Sequence, residues 1–289
     1  MKLALGTVQF GLNYGIANHQ GPVSENEAKA ILKHAKASGM DTLDTAISYG
    51  DSEYRLGQFG ISEWKVVTKL PSIPEECRDI ASWVPLVVKE SIQRLKVTSL
   101  YGVLLHRPYQ LLEKEGGLLY SALEQLKYDG LVQKIGISIY DPEELNTLYD
   151  HYKFDLIQAP FNILDRRLLD TGWIYRLTDL GTELHVRSIF LQGLLLMRNC
   201  DRPNEFNRWA SIWSEYDNWL MQISMTPLQA CVRYVLSFPE ISKVIVGVDS
   251  LDQLMAILLA AEGPAPLISD FIKTDDPDLL NPARWATLT

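Results

Sequence analysis

Short apolar runs alternate with amphipathic stretches along the whole chain. A continuous apolar run such as 102–105 is typical of a parallel strand that is buried on both faces. The amphipathic stretches, as in 28–35 and 119–126, place apolar residues three and four positions apart, which predicts helices. The pattern predicts strands over residues 3–6, 42–44, 65–69, 101–105, 134–138, 156–159, 184–188 and 244–246.

Capping residues mark the starts of two of these helices. Ser24 and Glu27 have the spacing of a capping box. Asp141 followed by Pro142 predicts an N-cap and a first helical residue. We therefore expect one helix to begin just after Ser24 and another at Pro142.

The spacing of the strands indicates the architecture. Most successive strands lie roughly 20 to 35 residues apart, which leaves room for one helix in each crossover connection. Eight such units in 289 residues predict an α/β fold, a closed (β/α)8 TIM barrel formed by residues 1–289 as a single domain. A long insertion carrying Trp209 and Trp213 follows strand seven, and a C-terminal tail follows Gly263. Helical spacing of these tryptophans favours core packing over substrate stacking.

Composition narrows the class of protein. The 47% hydrophobic and 22% charged residues are typical of a globular chain, and the net charge of −9 makes nucleic acid an unfavourable partner. No apolar run approaches the ~18 residues of a membrane span, so no membrane association is expected. Cys77, Cys200 and Cys231 form no CxxC pair, which indicates a reducing, cytoplasmic location without a disulfide framework.

Polar residues end several of the predicted strands. Asp44 ends strand two and Tyr49 follows it, Lys69 ends strand three, and His106 follows strand four. In a barrel these carboxyl ends converge on one mouth. A phenol ordinarily titrates near ~10, and an adjacent ammonium makes it a stronger acid. Lys69 is the ammonium available to Tyr49, and Asp44 would hold Lys69 and keep it charged.

This combination suits protonation of a carbonyl oxygen while a hydride arrives at the carbon, with His106 donating a hydrogen bond to the same oxygen. Paired hydrolytic carboxylates, a cysteine nucleophile with an adjacent base and an HExxH motif are absent from the sequence, so we expect no metal site. His34, His151 and His185 are interpreted as ordinary helix, loop or strand-edge residues. His19 could line a substrate cleft, although an ordinary loop role is favoured.

Residues 44–57 resemble the D-T-A-x-x-Y-G-x-S-E-x-x-L-G signature of the aldo-keto reductases at all nine specified positions, as DTAISYGDSEYRLG. Further matches follow in order, as VVTK at 66–69, LLHRP at 104–108 and IGIS at 135–138. Residues 158–162 resemble the family's Q-x-x-[YF]-N. The resemblance extends over residues 1–260.

The resemblance implies a barrel that binds NAD(P)H in extended form, with Tyr49 as general acid, Lys69 and Asp44 assisting it, and His106 orienting the carbonyl. Ser138 and Gln158 would hold the nicotinamide carboxamide, Asp44 would approach the nicotinamide ribose, and the 188–194 loop would cover the pyrophosphate. The cofactor-binding residues expected on this basis are Gly6, Thr7, Asp44, Ser138, Gln158, Arg187, Ser188, Phe190, Gln192, Gly193, Gly247, Val248, Asp249 and Gln253.

The chain departs from the family pattern at three places. Ile139 stands where an asparagine often contacts the carboxamide. Arg187 stands where an aromatic residue often lies under the nicotinamide, and its charge would disfavour the cationic oxidised ring. No Lys or Arg lies between Lys243 and Lys273, and Asp249 would repel a 2′-phosphate. These residues favour NADH, or a 2′-phosphate held from another loop, whereas the family favours NADPH, so the choice of nucleotide stays open.

The function expected from the sequence is NAD(P)H-dependent reduction of a small aldehyde or ketone to the alcohol. One alternative is a non-catalytic, nicotinamide-binding regulatory barrel, and another is a non-redox barrel lyase or isomerase. Polar residues near the mouth, Asn13, Tyr14, Asn18 and Gln192, would admit a sugar-like polyol. The sequence leaves the oligomeric state open.

Overall fold

Eight parallel strands follow one another around a closed barrel in the computed structural model, which describes residues 1–16, 18 and 21–287. The last strand pairs with the first, with Gly6 opposite Gly247, and this pairing closes the barrel. The predicted (β/α)8 architecture is therefore confirmed. The strands are β1 Leu3–Gly6, β2 Thr42–Asp44, β3 Lys65–Leu70, β4 Leu100–Leu105, β5 Val132–Ser138, β6 Leu156–Pro160, β7 Glu183–Arg187 and β8 Lys243–Gly247.

Helices cover the outside of the barrel and fill the longer connections. The α-helices among the described residues are α1 Val8–Gly11, α2 Glu25–Ala37, α3 Ser52–Phe59, α4 Ile80–Leu95, α5 Gly116–Tyr128, α6 Glu144–His151, α7 Arg167–Asp170, α8 Trp173–Asp179, α9 Ala210–Ile223, α10 Pro227–Leu236, α11 Leu251–Ala260 and α12 Pro277–Leu280. Short 3-10 helices span Pro108–Leu112, Leu191–Leu196, Asn199–Asp201, Asn204–Trp209, Asp270–Ile272 and Pro282–Thr287.

The barrel interior is packed with apolar side chains below its mouth. Val67, Leu104 and Leu156 form a buried cluster separate from the larger core between the sheet and the helices. Because side chains alternate along a strand, Lys69 faces the same side as Val67, one layer nearer the carboxyl end. Asp44 lies opposite Val67 in the β2–β3 register. Strand geometry thus directs both charged side chains into the barrel.

The insertion after β7 and the C-terminal tail pack together. Trp209 and Trp213 are buried, which confirms the prediction that the tryptophans of the insertion belong to the core. The indole of Trp209 donates to Asp276 in the tail at 2.8 Å, and the ring of Trp285 packs edge-on against Phe206 at 4.9 Å between ring centroids. The tail is therefore part of the packed fold on this side of the barrel.

One predicted helix start is confirmed and the other is not. Helix α2 begins at Glu25, just after its N-cap Ser24, as predicted. The Ser24 hydroxyl accepts the Glu27 N–H, but the Glu27 carboxylate accepts the N–H of Leu251 at 2.6 Å, so the capping box does not close. Helix α6 begins at Glu144 rather than Pro142, because the N–H groups of Glu144 and Leu145 donate to the carbonyls three residues back, of Asp141 and Pro142, at 3.1 Å each and so form a turn rather than an α-helix. A tertiary contact thus replaces half of the predicted capping box at α2, and a tight turn delays the start of α6.

Candidate active site

Lys69 and Asp44 form a buried ion pair inside the barrel mouth. Lys69 Nζ lies 2.7 Å from Asp44 Oδ2 and also donates to the Thr45 carbonyl at 2.8 Å. Burial by itself lowers the pKa of Lys69, but the charge of Asp44 and the interaction with Tyr49 outweigh it, and the pKa is raised above its ordinary value. Lys69 is therefore a cation throughout the neutral range.

The turn after β2 holds Tyr49 beside this pair. Tyr49 N–H donates to the Ala46 carbonyl at 3.0 Å, and Gly50 follows with a φ of 52°. A Cβ at Gly11 would lie 1.9 Å from the Tyr49 carbonyl oxygen, so glycine is required for α1 to pack against this turn. Lys69 Nζ lies 5.0 Å from the centroid of the Tyr49 ring, and the phenol contributes to raising the pKa of Lys69.

His106 follows β4 and faces Tyr49 across the mouth. The two ring centroids are 6.1 Å apart at an interplanar angle of 77°. The Ser48 hydroxyl lies 3.4 Å from His106 Nδ1. Burial, followed by the positive charges of Lys69 and Arg187, lowers the pKa of His106 to about 4. A neutral imidazole can donate one N–H to a carbonyl oxygen without adding charge to the site.

The low pKa of His106 predicts a specific pH dependence of stability. An unfolded histidine takes up a proton near ~6.5, whereas folded His106 does so only near pH 4. As the pH falls from ~6.5 towards 4, the imidazole of the unfolded state takes up a proton while folded His106 stays neutral. Protonation therefore stabilises the unfolded state and lowers the free energy of unfolding over this range, whereas above ~6.5 His106 causes no such loss. Between pH 7 and pH 5, urea denaturation of His106→Gln should therefore show a smaller loss of unfolding free energy than the wild type.

His151→Gln is the matched control for this measurement, since His151 is exposed and lies at the end of α6. That variant should lose as much unfolding free energy between the two pH values as the wild type. If His106→Gln lost as much unfolding free energy as the wild type between pH 7 and pH 5, folded His106 would not be a neutral imidazole at these pH values.

A chain of hydrogen bonds connects the ion pair to β5 and β6. Gln158 Nε2 donates to Asp44 Oδ1 at 2.6 Å, and Ser138 Oγ donates to Gln158 Oε1 at 3.2 Å. Ser138 and Gln158 are buried and line the same cavity as Asp44 and Lys69. The Ser138 hydroxyl and the Gln158 amide can each donate and accept hydrogen bonds, as a carboxamide does, so they are suited to bind one.

A cavity of 320 Å³ extends from Tyr49 and His106 to Asp249 and Gln253. It brings together the predicted catalytic residues and, with one exception, the predicted cofactor-binding residues. The exception is Val248, whose side chain is buried in the core and does not line the cavity. The predicted residues that line it are Gly6, Thr7, Asp44, Tyr49, Lys69, His106, Ser138, Gln158, Arg187, Ser188, Phe190, Gln192, Gly193, Gly247, Asp249 and Gln253.

Features of the cavity wall fit a dinucleotide. Gln9 Oε1 is buried and has no hydrogen-bond partner among the described residues, and a Cβ at Gly247 would lie 2.5 Å from Gln9 Nε2, so glycine is required for the Gln9 amide to lie here. In the loop after β7, Ser188, Gln192 and Gly193 have φ values of 59°, 53° and 95°. Turns of this kind group backbone N–H donors into concavities that suit anions. The residues present therefore fit an extended cofactor with a pyrophosphate.

The structure also corrects the end of the seventh strand. Ser188 was predicted as its last residue, but its left-handed φ of 59° takes it out of the strand and into the loop. The cavity lining that the sequence did not single out comes from helices as well as loops, and it includes Gln9 of α1, Leu228 of α10, Gly15 and Tyr140. Only the places of Gln9 and Gly15 after β1, and of Tyr140 after β5, could have indicated these three. His19 lies outside the described residues.

The far end of the cavity is acidic. Asp249 Oδ1 accepts from the Asn18 side chain at 3.0 Å, and the Asp249 N–H donates to Gln253 Oε1 at 2.8 Å. Burial raises the pKa of Asp249. Among the described residues that line the cavity, the cationic side chains are Lys69 and Arg187.

The second half of the 44–57 signature serves the architecture rather than the cavity. The buried Glu53 carboxylate accepts from Thr68 and Ser91 at 2.7 Å each and from Arg94 at 2.9 Å. A Cβ at Gly57 would lie 2.0 Å from the Arg94 carbonyl oxygen. These residues join α3 to β3 and α4 and so support the turn that carries Tyr49.

The described residues lack both a metal-binding cluster and a membrane-spanning helix. They hold no group of three or more His, Cys, Asp or Glu side chains placed to bind a metal ion. None of their helices combines the length and the apolar character that crossing a bilayer requires.

Comparisons with known proteins agree with this geometry. The model of the Aldo/keto reductase family matches residues 2–273. An uncharacterized oxidoreductase of Bacillus subtilis, YqkF, is 24% identical over 283 residues, which cover 90% of each chain. An NADH-specific methylglyoxal reductase of Escherichia coli is 28% identical over 149 residues, which cover 50% of this chain and 44% of that protein.

Among solved structures, the holo form of an aldo-keto reductase from Bacillus halodurans has the same fold, with a TM-score of 0.73 and 21% sequence identity. The match covers 94% of this chain and 89% of that one.

Proposed function

The chain belongs to the aldo/keto reductase family, and we propose that it reduces a small aldehyde or ketone to the alcohol with a reduced nicotinamide cofactor. The observation that carries this proposal is the buried Lys69–Asp44 pair, whose ammonium interacts with the Tyr49 phenol at the edge of the 320 Å³ cavity. The acid, the cation that supports it and the space for the cofactor lie in one place.

Each member of this group has a separate role. Tyr49 donates its proton to the carbonyl oxygen of the substrate, and the Lys69 charge stabilises the phenolate that remains. Asp44 holds Lys69 at 2.7 Å and keeps it charged. The neutral imidazole of His106 donates a hydrogen bond from its N–H to the same oxygen and so orients the carbonyl. A reduced nicotinamide, when bound, supplies the hydride that completes the alcohol at the carbonyl carbon.

Other parts of the cavity would hold the cofactor. Ser138 and Gln158 would bind the carboxamide through their hydroxyl and amide groups. The loop from Ser188 to Gly193 would bind the pyrophosphate with backbone N–H donors.

The free thiols of the described residues support a reducing, cytoplasmic location for the reaction.

The acidic far end of the cavity supports NADH over NADPH. A 2′-phosphate near Asp249 would meet like charge, whereas a free ribose hydroxyl can donate to this carboxylate. The Escherichia coli relative is likewise NADH-specific. We expect Asp249→Asn to shift the ratio of kcat/KM for NADH to that for NADPH about tenfold towards NADPH, as measured by steady-state kinetics.

Glu262→Gln is the matched control for Asp249→Asn, because Glu262 is exposed and lies just beyond α11, outside the cavity. It should leave the ratio unchanged. A wild-type preference for NADPH of more than about a hundredfold would contradict the NADH assignment.

The proposed reaction is tested by incubating the protein with NADH or NADPH and a panel of aldehydes, ketones and open-chain sugars. Loss of absorbance at the reduced nicotinamide band, together with formation of the alcohol, is the expected result. Dinucleotide binding without turnover of any member would favour a non-catalytic barrel instead. The polar residues Tyr14 and Gln192, which hydrogen-bond at 3.3 Å beside the mouth, make polyol-like carbonyls the first substrates to try.

A further inference from the structure

Arg187 is a fixed cation in the cavity wall. It ends β7 two residues after His185, which pairs with Gln158 on β6, so Arg187 lies on the same face as Gln158 and one layer nearer the mouth. One terminal nitrogen donates to the Ile139 carbonyl at 2.9 Å, and the other donates to Ser188 Oγ at 3.2 Å.

The guanidinium is also stacked. Its central carbon lies 4.5 Å above the centroid of the Tyr140 ring. Ile139 and Tyr140 follow β5, and Ser188 follows β7. These two hydrogen bonds and one stacking contact leave the Arg187 side chain little freedom to turn towards solvent. The cation is therefore held in place before any ligand arrives.

No carboxylate neutralises this charge within the part of the chain that the structure describes. The hydrogen-bond acceptors of Arg187 are a carbonyl and a hydroxyl, and the buried carboxylate of Asp44 is paired with Lys69. The field of Arg187 reaches across the cavity, where it contributes to lowering the pKa of His106. The cavity end near Ser138 and Gln158 thus carries an excess positive charge.

We propose that Arg187 lies against the nicotinamide ring and makes the site bind the reduced cofactor more tightly than the oxidised one. This inference rests on the proposed function. The reduced ring is neutral and the oxidised ring carries a positive charge. A planar guanidinium can stack on either ring, but only the oxidised ring meets electrostatic repulsion, which the partly buried site screens weakly.

The test is a pair of equilibrium titrations that need no turnover. Dissociation constants for NADH and NAD⁺ are measured by calorimetry or fluorescence for the wild type, Arg187→Met and Arg187→Lys. The wild type should bind NADH about tenfold or more tightly than NAD⁺. Arg187→Met should reduce that ratio about tenfold, chiefly by tighter NAD⁺ binding, whereas Arg187→Lys should preserve most of it because the charge remains.

Arg176→Met is the matched control, since Arg176 also stacks on an aromatic ring, at 3.8 Å from Trp173, but does not line the cavity. It should leave the ratio unchanged. Equal wild-type affinities for NADH and NAD⁺, or an unchanged ratio in Arg187→Met, would overturn the inference. So would an unchanged ratio with a selective loss of activity on anionic carbonyls, because Arg187 would then bind substrate. Failure of the wild type to bind either dinucleotide would refute the proposed function itself.

Discussion

Replacing Tyr49 with phenylalanine is expected to lower kcat about a thousandfold while leaving the dissociation constant of the cofactor within about twofold. The phenol lies beside the Lys69 cation at the mouth, and phenylalanine removes its proton but keeps the ring that packs beside His106. Steady-state kinetics and a cofactor titration measure the two quantities.

Tyr54→Phe is the control for this variant. Tyr54 is 56% exposed on α3, five residues beyond Tyr49, and does not line the cavity. It should retain the wild-type kcat. Wild-type turnover in Tyr49→Phe would show that Tyr49 is not the general acid. Loss of cofactor binding would show that the hydroxyl serves to bind the cofactor.

Lys69→Met is expected to lower the free energy of unfolding by about 3–5 kcal/mol, because it leaves the Asp44 carboxylate buried without its ammonium. Asp44 keeps only the donor from Gln158 at 2.6 Å. Turnover should fall as well, since the cation beside the phenol is gone. Urea denaturation followed by circular dichroism measures the stability change.

A double variant separates stability from catalysis. Lys69→Met combined with Asp44→Leu removes both charges and should recover much of the lost unfolding free energy without recovering activity. Lys127→Met breaks the half-exposed pair with Asp155 and should cost at most about 1 kcal/mol. If Lys69→Met were no more destabilising than Lys127→Met, the buried pair would not have the energetic importance assigned to it.

The positions of the strands could be predicted from the sequence because buried parallel strands are short and continuously apolar. The run 102–105 falls within β4, and Asp44 ends β2 as predicted. The placement of Tyr49, Lys69 and His106 at one mouth then followed from the topology alone, since all parallel strands of a closed barrel end on the same side.

Other features depend on tertiary contacts that one-dimensional patterns do not contain. The Glu27 carboxylate binds Leu251, 224 residues away, instead of closing a local capping box. Val248 follows Gly247 at the end of β8 and was predicted to bind the cofactor, but its side chain is buried in the core. The unpaired oxygen of Gln9 in the short helix α1 and the stacking of Arg187 on Tyr140 depend on how connections after β1 and β5 pack, which the sequence pattern does not specify.

The most direct measurement follows deuterium from the cofactor to the product. The wild type and Tyr49→Phe are each incubated with an aldehyde and NADH that carries deuterium at the transferable C4 position, and the alcohol is examined by mass spectrometry. The wild type should place the label on the carbinol carbon in step with NAD⁺ formation, and Tyr49→Phe should do so about a thousandfold more slowly. Unlabelled alcohol from the wild type, or equal rates of label transfer in the two proteins, would contradict hydride reduction assisted by Tyr49.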